Sequence, residues 1–456
     1  MKVIPFVHEG LGNSSYLVEL GDGTAVLVDP DRTTGRYLAA AEAQGWRIVA
    51  ALETHLHADF ISGVTQLGDD GVANLFLPEA AAARFPHQAL RPGARLRLGA
   101  REVEVVASPG HTPEHVSYVI RGPAGPPALF SGGSLLVGGA ARTDLIAPDQ
   151  TDALTRAQYR TLTQAFAALP DETPLYPTHG GGSFCSAGSV GERTSTLGRE
   201  RTANPWLACP DEETFAGAFP ASFPAAPAYF FRLRQVNQEG PRLRRDIPFP
   251  PPLDPAAFDT ARREALVVDV RPKEAYAAGH IPGALSNTFR DAYATWLGWL
   301  VPPDTPLLFV TEGEPLERVV DESLLVGYER FVGWLAGGMD AWQHAGLPVA
   351  TVALVDAPAA RAAILDGAVA LDVREPSEFA AGHIEGACHV PLGSLTAELA
   401  QLPRGWPILA YCGHGERAAT ALSLLERSGF GVPLLNLDNG VGAWEAAGYP
   451  TVAEDR

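Results

Sequence analysis

The chain has 456 residues, 46% of them hydrophobic, and a formal charge of −19 from 34 Lys+Arg against 53 Asp+Glu. That length predicts roughly two to four domains rather than one. The acidic balance excludes a nucleic-acid binder, whose partner demands a basic surface, and no apolar run approaches the roughly 20 residues of a membrane span.

The opening Met1-Lys2-Val3-Ile4-Pro5 has neither the apolar stretch nor the small-residue cleavage site of a secretory leader. Cys185, Cys209, Cys388 and Cys412 are spaced too widely for a disulfide framework or a zinc knuckle. A cytoplasmic enzyme with functional thiols is expected. In chain order, residues 15–18 and 24–29 predict early sheet strands ending at the Asp29-Pro30 turn, residues 37–45 a helix, and residues 48–52 a buried strand.

That strand runs into Thr54-His55-Leu56-His57-Ala58-Asp59-Phe60. Two imidazoles and a carboxylate at alternate positions of one turn can converge on a point, and they suit Zn²⁺ or Fe²⁺. The pattern resembles the His-x-His-x-Asp-His signature of the metallo-β-lactamase superfamily, with Phe60 in the last histidine's place. In that superfamily the last histidine helps hold a second metal, so the resemblance implies one metal at most. Further matching pieces follow in order. Ser108-Pro109-Gly110-His111 lies in a turn after the apolar strand 103–106, and Tyr176-Pro177-Thr178-His179-Gly180 lies in a Gly-rich loop. A lone histidine is ordinarily a surface or core residue, but His55, His57, His111 and His179 at these motif positions reverse that expectation for the group. The superfamily's bridging aspartate falls on Gly133 in Phe130-Ser131-Gly132-Gly133-Ser134, and glycine has no ligating atom. Cys185 follows His179 closely enough to sit by the metal cleft, as a persulfide relay or as a silent thiol. Cys209 and Cys388 are expected to be structural.

The proline-rich 247–252 segment reads as a semi-rigid spacer rather than an element. Beyond it the stretch 268–284, with Asp269, Arg271, Gly279 and His280, recurs as 371–387, with Asp372, Arg374, Gly382 and His383. Each copy ends near a Gly-x-x-x-Trp step, Gly338 to Trp342 and Gly440 to Trp444. Units of roughly 100 residues are domains rather than solenoid repeats, and both copies resemble rhodanese domains. The predicted fold is therefore α/β and multidomain. It comprises a metallo-β-lactamase αββα sandwich over 1–245 and two α/β rhodanese-like domains, over 255–350 and 355–456.

The copies differ where chemistry would occur. In the second, the strand 407–411 leads to Cys412-Gly413-His414-Gly415-Glu416-Arg417 and a helix over 418–428. A cysteine on such a loop faces backbone N–H groups and the positive end of a helix dipole, both of which favour thiolate, and Arg417 adds a cation. Cys412 is thus the expected nucleophile for sulfane sulfur, with Gly413, His414, Gly415 and Glu416 forming the substrate loop. Cysteine phosphatases share this logic but usually place five residues between Cys and Arg, whereas the four here match sulfurtransferases. The first copy has Thr311-Glu312-Gly313-Glu314 instead. It is read as inactive, a structural spacer or interface.

Taken together, the chain resembles the bacterial persulfide dioxygenase–rhodanese fusions, in which the His-Ala-Asp-Phe version of the motif is usual. Glu192-Arg193, Asn204-Pro205 and Val236-Asn237-Gln238 belong to the same match. The resemblance implies a mononuclear Fe²⁺ held by two histidines and an aspartate, here His55, His111 and the carboxylate missing at Gly133. It also implies oxidation of a small thiol persulfide to sulfite by O₂, with sulfur exchange among thiols, sulfite and thiosulfate at Cys412, in sulfide detoxification. Zn²⁺ would suit the same ligands and favour hydrolysis, as in a thioester hydrolase of glyoxalase II type. A decayed site would leave no cofactor and a sulfurtransferase or sulfur carrier. If metal is kept, the expected face is His55, His57 and His111, with Asp59 and His179 nearby. A homo-oligomer is expected.

Overall fold

The computed structural model describes residues 1–187 and 191–453; residues 188–190 and 454–456, which the expected first and last domains include, lie outside them. The chain divides into two compact units, Met1–Ile247 with Asp321–Gly327, and Pro248–Val320 with Tyr328–Arg456.

The first unit holds two six-stranded sheets. One orders Val3–His8, Asn13–Glu19, Thr24–Val28, Arg47–Leu52, Asn74–Pro78 and Gln88–Leu90; the other orders Ser195–Thr196, Pro174–Pro177, Ala128–Gly132, Val116–Arg121, Arg101–Ala107 and Arg95–Leu98. The layering follows from side-chain alternation along strands that are apolar on both faces. Tyr16, Val18, Val26, Val28 and Leu52 join Val103, Val105, Tyr118 and Phe130 in a core between the sheets. The alternate residues Leu17, Leu27 and Ala51 pack outward with Tyr37 and Ala41 of the helix Gly35–Gln44. On the far side Val119, Leu129 and Leu175 pack outward with Leu162, Phe215 and Phe219. The result is helix, sheet, sheet, helix. Among the described residues no helix is long and apolar enough to cross a membrane.

The second unit repeats one design. Each copy has a five-stranded parallel sheet. The first orders Pro252–Leu253, Phe331–Leu335, Leu307–Val310, Leu266–Asp269 and Leu285–Ser286; the second orders Ala353–Val355, Leu434–Leu437, Ile408–Tyr411, Val369–Asp372 and Cys388–His389. The residues that reveal the repeat in sequence hold the fold. Arg271 pairs with Asp269 at 2.7 Å and donates to the Gly279 carbonyl at 2.8 Å, and Arg374 bonds Asp372 and the Gly382 carbonyl in the same way. His280 stacks on Tyr276 at 3.8 Å and His383 on Phe379 at 3.7 Å. The Trp342 and Trp444 indoles donate to the Pro348 and Pro450 carbonyls. The spacer reading of 247–252 needs one correction: Pro252 opens the edge strand Pro252–Leu253, paired with Trp334 and Leu335. An edge position tolerates a residue without an N–H.

Candidate metal centre and sulfur-transfer loop

His55 lies just past the Arg47–Leu52 strand, His111 in the turn after Arg101–Ala107, and His179 after Pro174–Pro177. All three are buried, and each offers a ring nitrogen within 4.8 Å of the other two. The His55 and His179 Nε2 atoms stand 3.3 Å apart. His111 Nδ1 bonds the Arg142 carbonyl at 2.6 Å, so it carries the proton and leaves a lone pair on Nε2, which has no partner. Burial pushes the His111 imidazole down to about 3, and burial with the neighbouring His57 and His111 pushes His55 well below its usual value. Both are therefore neutral at pH 7. Three converging imidazoles, at least two of them neutral, with an orphaned lone pair fit a metal cofactor and nothing apolar. Asp59 Oδ2 lies 3.2 Å from His179 Nδ1, within ion-pair distance but without a hydrogen bond between them, and both groups are buried.

His57 is not part of this face. Its Nε2 meets Glu53 at 2.8 Å and Asp29 at 3.3 Å, and all three side chains are buried. Burial alone would depress the imidazole, but the two carboxylates outweigh it and lift the pKa to about 10. An imidazolium has no lone pair to give. His57 does come within reach of Asp59 and His179 as an alternative cluster. The expected face of His55, His57 and His111 is thus replaced geometrically by His55, His111 and His179. Phe60 stacks on His57 at 4.3 Å, filling the position of the absent histidine with a ring that cannot ligate. Gly133 is closely enclosed: a Cβ there would lie 2.6 Å from His111 Cδ2.

Three residues that build the site carry no assigned role in the sequence. Asp29, buried and at φ 49°, was read only as a turn. Its carboxylate accepts from Thr54 N at 2.7 Å, Thr54 Oγ1 at 2.8 Å and Thr178 Oγ1, so it ties together the residues preceding His55 and His179. His115 accepts from Gly133 N at 2.9 Å and fixes that loop. Asn237, from the helix Phe230–Glu239, donates to the His57 and Phe60 carbonyls at 2.8 Å each. The Thr residues before both histidines were the available signal for Asp29; Asn237 stands in the Val236-Asn237-Gln238 part of the family match, which gave it no role, and no local pattern marks His115.

Cys185 is fully buried, and burial, with the nearby Asp59, pushes its thiol well above the ordinary value. The thiol form is favoured there, which suits the silent alternative for Cys185 better than the persulfide relay. Among the described residues all four cysteines are free.

Cys412 follows the Ile408–Tyr411 strand, and its Sγ accepts from Gly415 N at 3.0 Å. The helix Glu416–Arg427 begins directly after Gly415, whose φ of 105° favours glycine. Glu416 is half-buried and His414 is exposed. Arg417 does not project freely as a cation: both its terminal nitrogens bond Glu378 at 2.7 Å. In the first copy the corresponding carboxylates serve their own surroundings, Glu312 pairing with Arg271 at 3.3 Å and Glu314 accepting from Glu312 N at 2.6 Å.

The chain matches the metallo-beta-lactamase superfamily over residues 8–179 and the rhodanese-like domain twice, over 256–345 and 356–447. The human mitochondrial persulfide dioxygenase ETHE1 is 31% identical over 192 residues, which cover 41% of this chain and 68% of that protein. The chain belongs to the persulfide dioxygenase family. With its two rhodanese-like domains, this family member is an enzyme whose histidine cluster is built for a metal cofactor. Hydroxyacylglutathione hydrolase of Acidiphilium cryptum is also similar, 35% identical over 169 residues covering 37% of this chain and 64% of that enzyme. The crystal structure of a metallo-beta-lactamase from Staphylococcus aureus superposes with a TM-score of 0.66 at 26% identity, covering 74% of this chain and 98% of that one.

Proposed function

We propose that the chain is a persulfide dioxygenase with a sulfurtransferase tail. The first domain oxidises the terminal sulfur of a small thiol persulfide to sulfite, and Cys412 moves sulfane sulfur among thiols, sulfite and thiosulfate. The observation that carries the first half is the buried face of His55, His111 and His179, completed without Gly133 and without a residue at Phe60 able to hold a second metal. A single Fe²⁺ is the metal this reading requires, because bound iron supplies the redox chemistry with O₂ that zinc lacks.

The chain's own residues would divide the remaining work. His55, His111 and His179 would hold the metal, which when bound would supply the redox chemistry for persulfide and O₂. Asp59 stands beside His179, the Arg142 carbonyl orients His111, and Thr54 Oγ1 contacts His55 Nδ1 at 2.9 Å. The overall change balances as RSSH + O₂ + H₂O giving RSH and sulfurous acid, which ionises to sulfite. At Cys412 the thiolate attacks a sulfane sulfur and the displaced thiol or sulfite leaves. Cys185 is left outside the catalytic set.

A second reading is zinc-dependent thioester hydrolysis, favoured by the likeness to hydroxyacylglutathione hydrolases. Protein purified without oxygen separates the two. Iron content with O₂ uptake and sulfite release on glutathione persulfide supports the dioxygenase; zinc content with hydrolysis of a hydroxyacylglutathione and no O₂ uptake overturns it.

A further inference from the structure

The two rhodanese-like copies share one core, in which Trp296, Leu308 and Val310 of the first cluster with Leu392, Ala421 and Leu425 of the second. The contact centres on the helix that follows Cys412. Ser286 N donates to Ser423 Oγ at 3.1 Å, and Gly283 N and His280 Nε2 bond the Glu426 carboxylate at 3.0 and 2.8 Å. The cysteine-less copy therefore abuts the catalytic element directly.

One cation of that copy, Lys273, reaches the loop itself, and a second, Arg290, carries its charge on the same side. The Lys273 stem lies so close to Gly415 that a Cβ there would meet its Cε at 2.7 Å, and its ammonium pairs with Asp438 at 3.1 Å and with Glu274. Arg290 ends the segment laid across the first copy's sheet by Asn287 N to the Asp269 carbonyl and Phe289 N to the Val270 carbonyl, both bonds lying at the carboxyl end of the Leu266–Asp269 strand. Its charged neighbours are Glu416, Cys412 and Arg417, with Asp291 beside it. The three cations differ in what they have left to offer. Arg417 is spent on Glu378 and Lys273 on Asp438 and Glu274, whereas Arg290 is exposed and, among the described residues, forms no salt bridge.

We propose that the cysteine-less copy is the anion-binding half of the Cys412 centre, with Arg290 receiving the anionic end of the sulfur donor and Lys273 positioning the Gly415 turn. The ligand class is a small sulfur anion such as thiosulfate. Cys412 Sγ attacks its sulfane sulfur, a new S–S bond forms as the bond to the sulfonate sulfur breaks, and sulfite leaves with that bond's electron pair. The total charge is unchanged and no oxidant is consumed. The transferring sulfur is met by the backbone N–H of the loop, and the departing sulfite by Arg290.

This inference rests on Cys412 being the sulfur-transfer nucleophile, and the test separates the two. In the full chain, Cys412 alkylation is timed with anionic iodoacetate and neutral iodoacetamide, and thiosulfate-to-cyanide transfer is measured in parallel. For Arg290→Gln we expect the iodoacetate-to-iodoacetamide rate ratio to fall roughly tenfold and KM for thiosulfate to rise by about as much, with iodoacetamide reactivity little changed. Arg290→Lys should recover part of both. An unchanged ratio and KM, or an equal fall in both alkylation rates, overturns the assignment to Arg290. Transfer surviving in Cys412→Ser overturns the underlying reading of Cys412 instead.

Discussion

Asp29→Asn should release His57 from its charged cage and loosen the metal loop with it. The wild-type imidazole is held at about 10 against an ordinary 6.5. That span is worth about 5 kcal/mol at 1.36 kcal/mol per decade, shared between Glu53 and Asp29. A carboxylate about 3.3 Å away is worth roughly 5 kcal/mol at an effective dielectric of about 20, before its own desolvation is set against it. Removing Asp29's charge should therefore bring His57 down to about 8 and cost about 2–3 kcal/mol at neutral pH. The sign follows from the raised pKa. The cage's stabilisation is complete below the unfolded value near 6.5 and is lost as pH climbs towards about 10. In the variant the loss is complete by about pH 8. Site-resolved exchange of imidazole C2 hydrogens in metal-free protein reads the His57 titration directly. A midpoint near 10 in both proteins would refute the claim that Asp29 holds the charge.

Other outcomes are expected from the same geometry. Gly133→Ala should lower metal retention about tenfold or more, because its methyl meets His111 at 2.6 Å and overpacking of this kind costs about 1–3 kcal/mol; unchanged metal content after anaerobic loading would contradict it. Cys412→Ser should abolish sulfur transfer from thiosulfate and leave O₂ uptake on glutathione persulfide intact, and residual transfer would move the nucleophile elsewhere. Glu378→Gln should free the Arg417 guanidinium and lower KM for thiosulfate roughly threefold to tenfold, since it removes a bidentate carboxylate, and a raised KM would mean the pair is needed to hold the loop.

The fold was legible wherever a pattern was local. Alternation and apolar runs placed the strands around 15–18, 24–28 and 48–52, and the duplicated Asp-x-Arg and Gly-His steps announced two like domains because those residues bond within their own copy. The site was legible only to first order. His55, His111 and His179 stood out as motif residues, but which histidines converge depends on where the buried charges lie. Asp29 and Glu53 approach His57 from two different strand ends, and nothing local in sequence says that they claim it. The inactive reading of the first rhodanese-like copy followed from its missing cysteine, a statement about its own loop. The Lys273 stem meets the Gly415 turn of the neighbouring copy, and a contact between residues so far apart in sequence has no local signature.

On the proposed reading, His179 completes a three-histidine metal face from which His57 is excluded. Iron occupancy after anaerobic loading of His179→Ala and His57→Ala, compared side by side with the unaltered chain, tests it most directly. His179→Ala should lose its iron while His57→Ala keeps most of it despite a lower stability. Iron retained in His179→Ala and stripped from His57→Ala would contradict it.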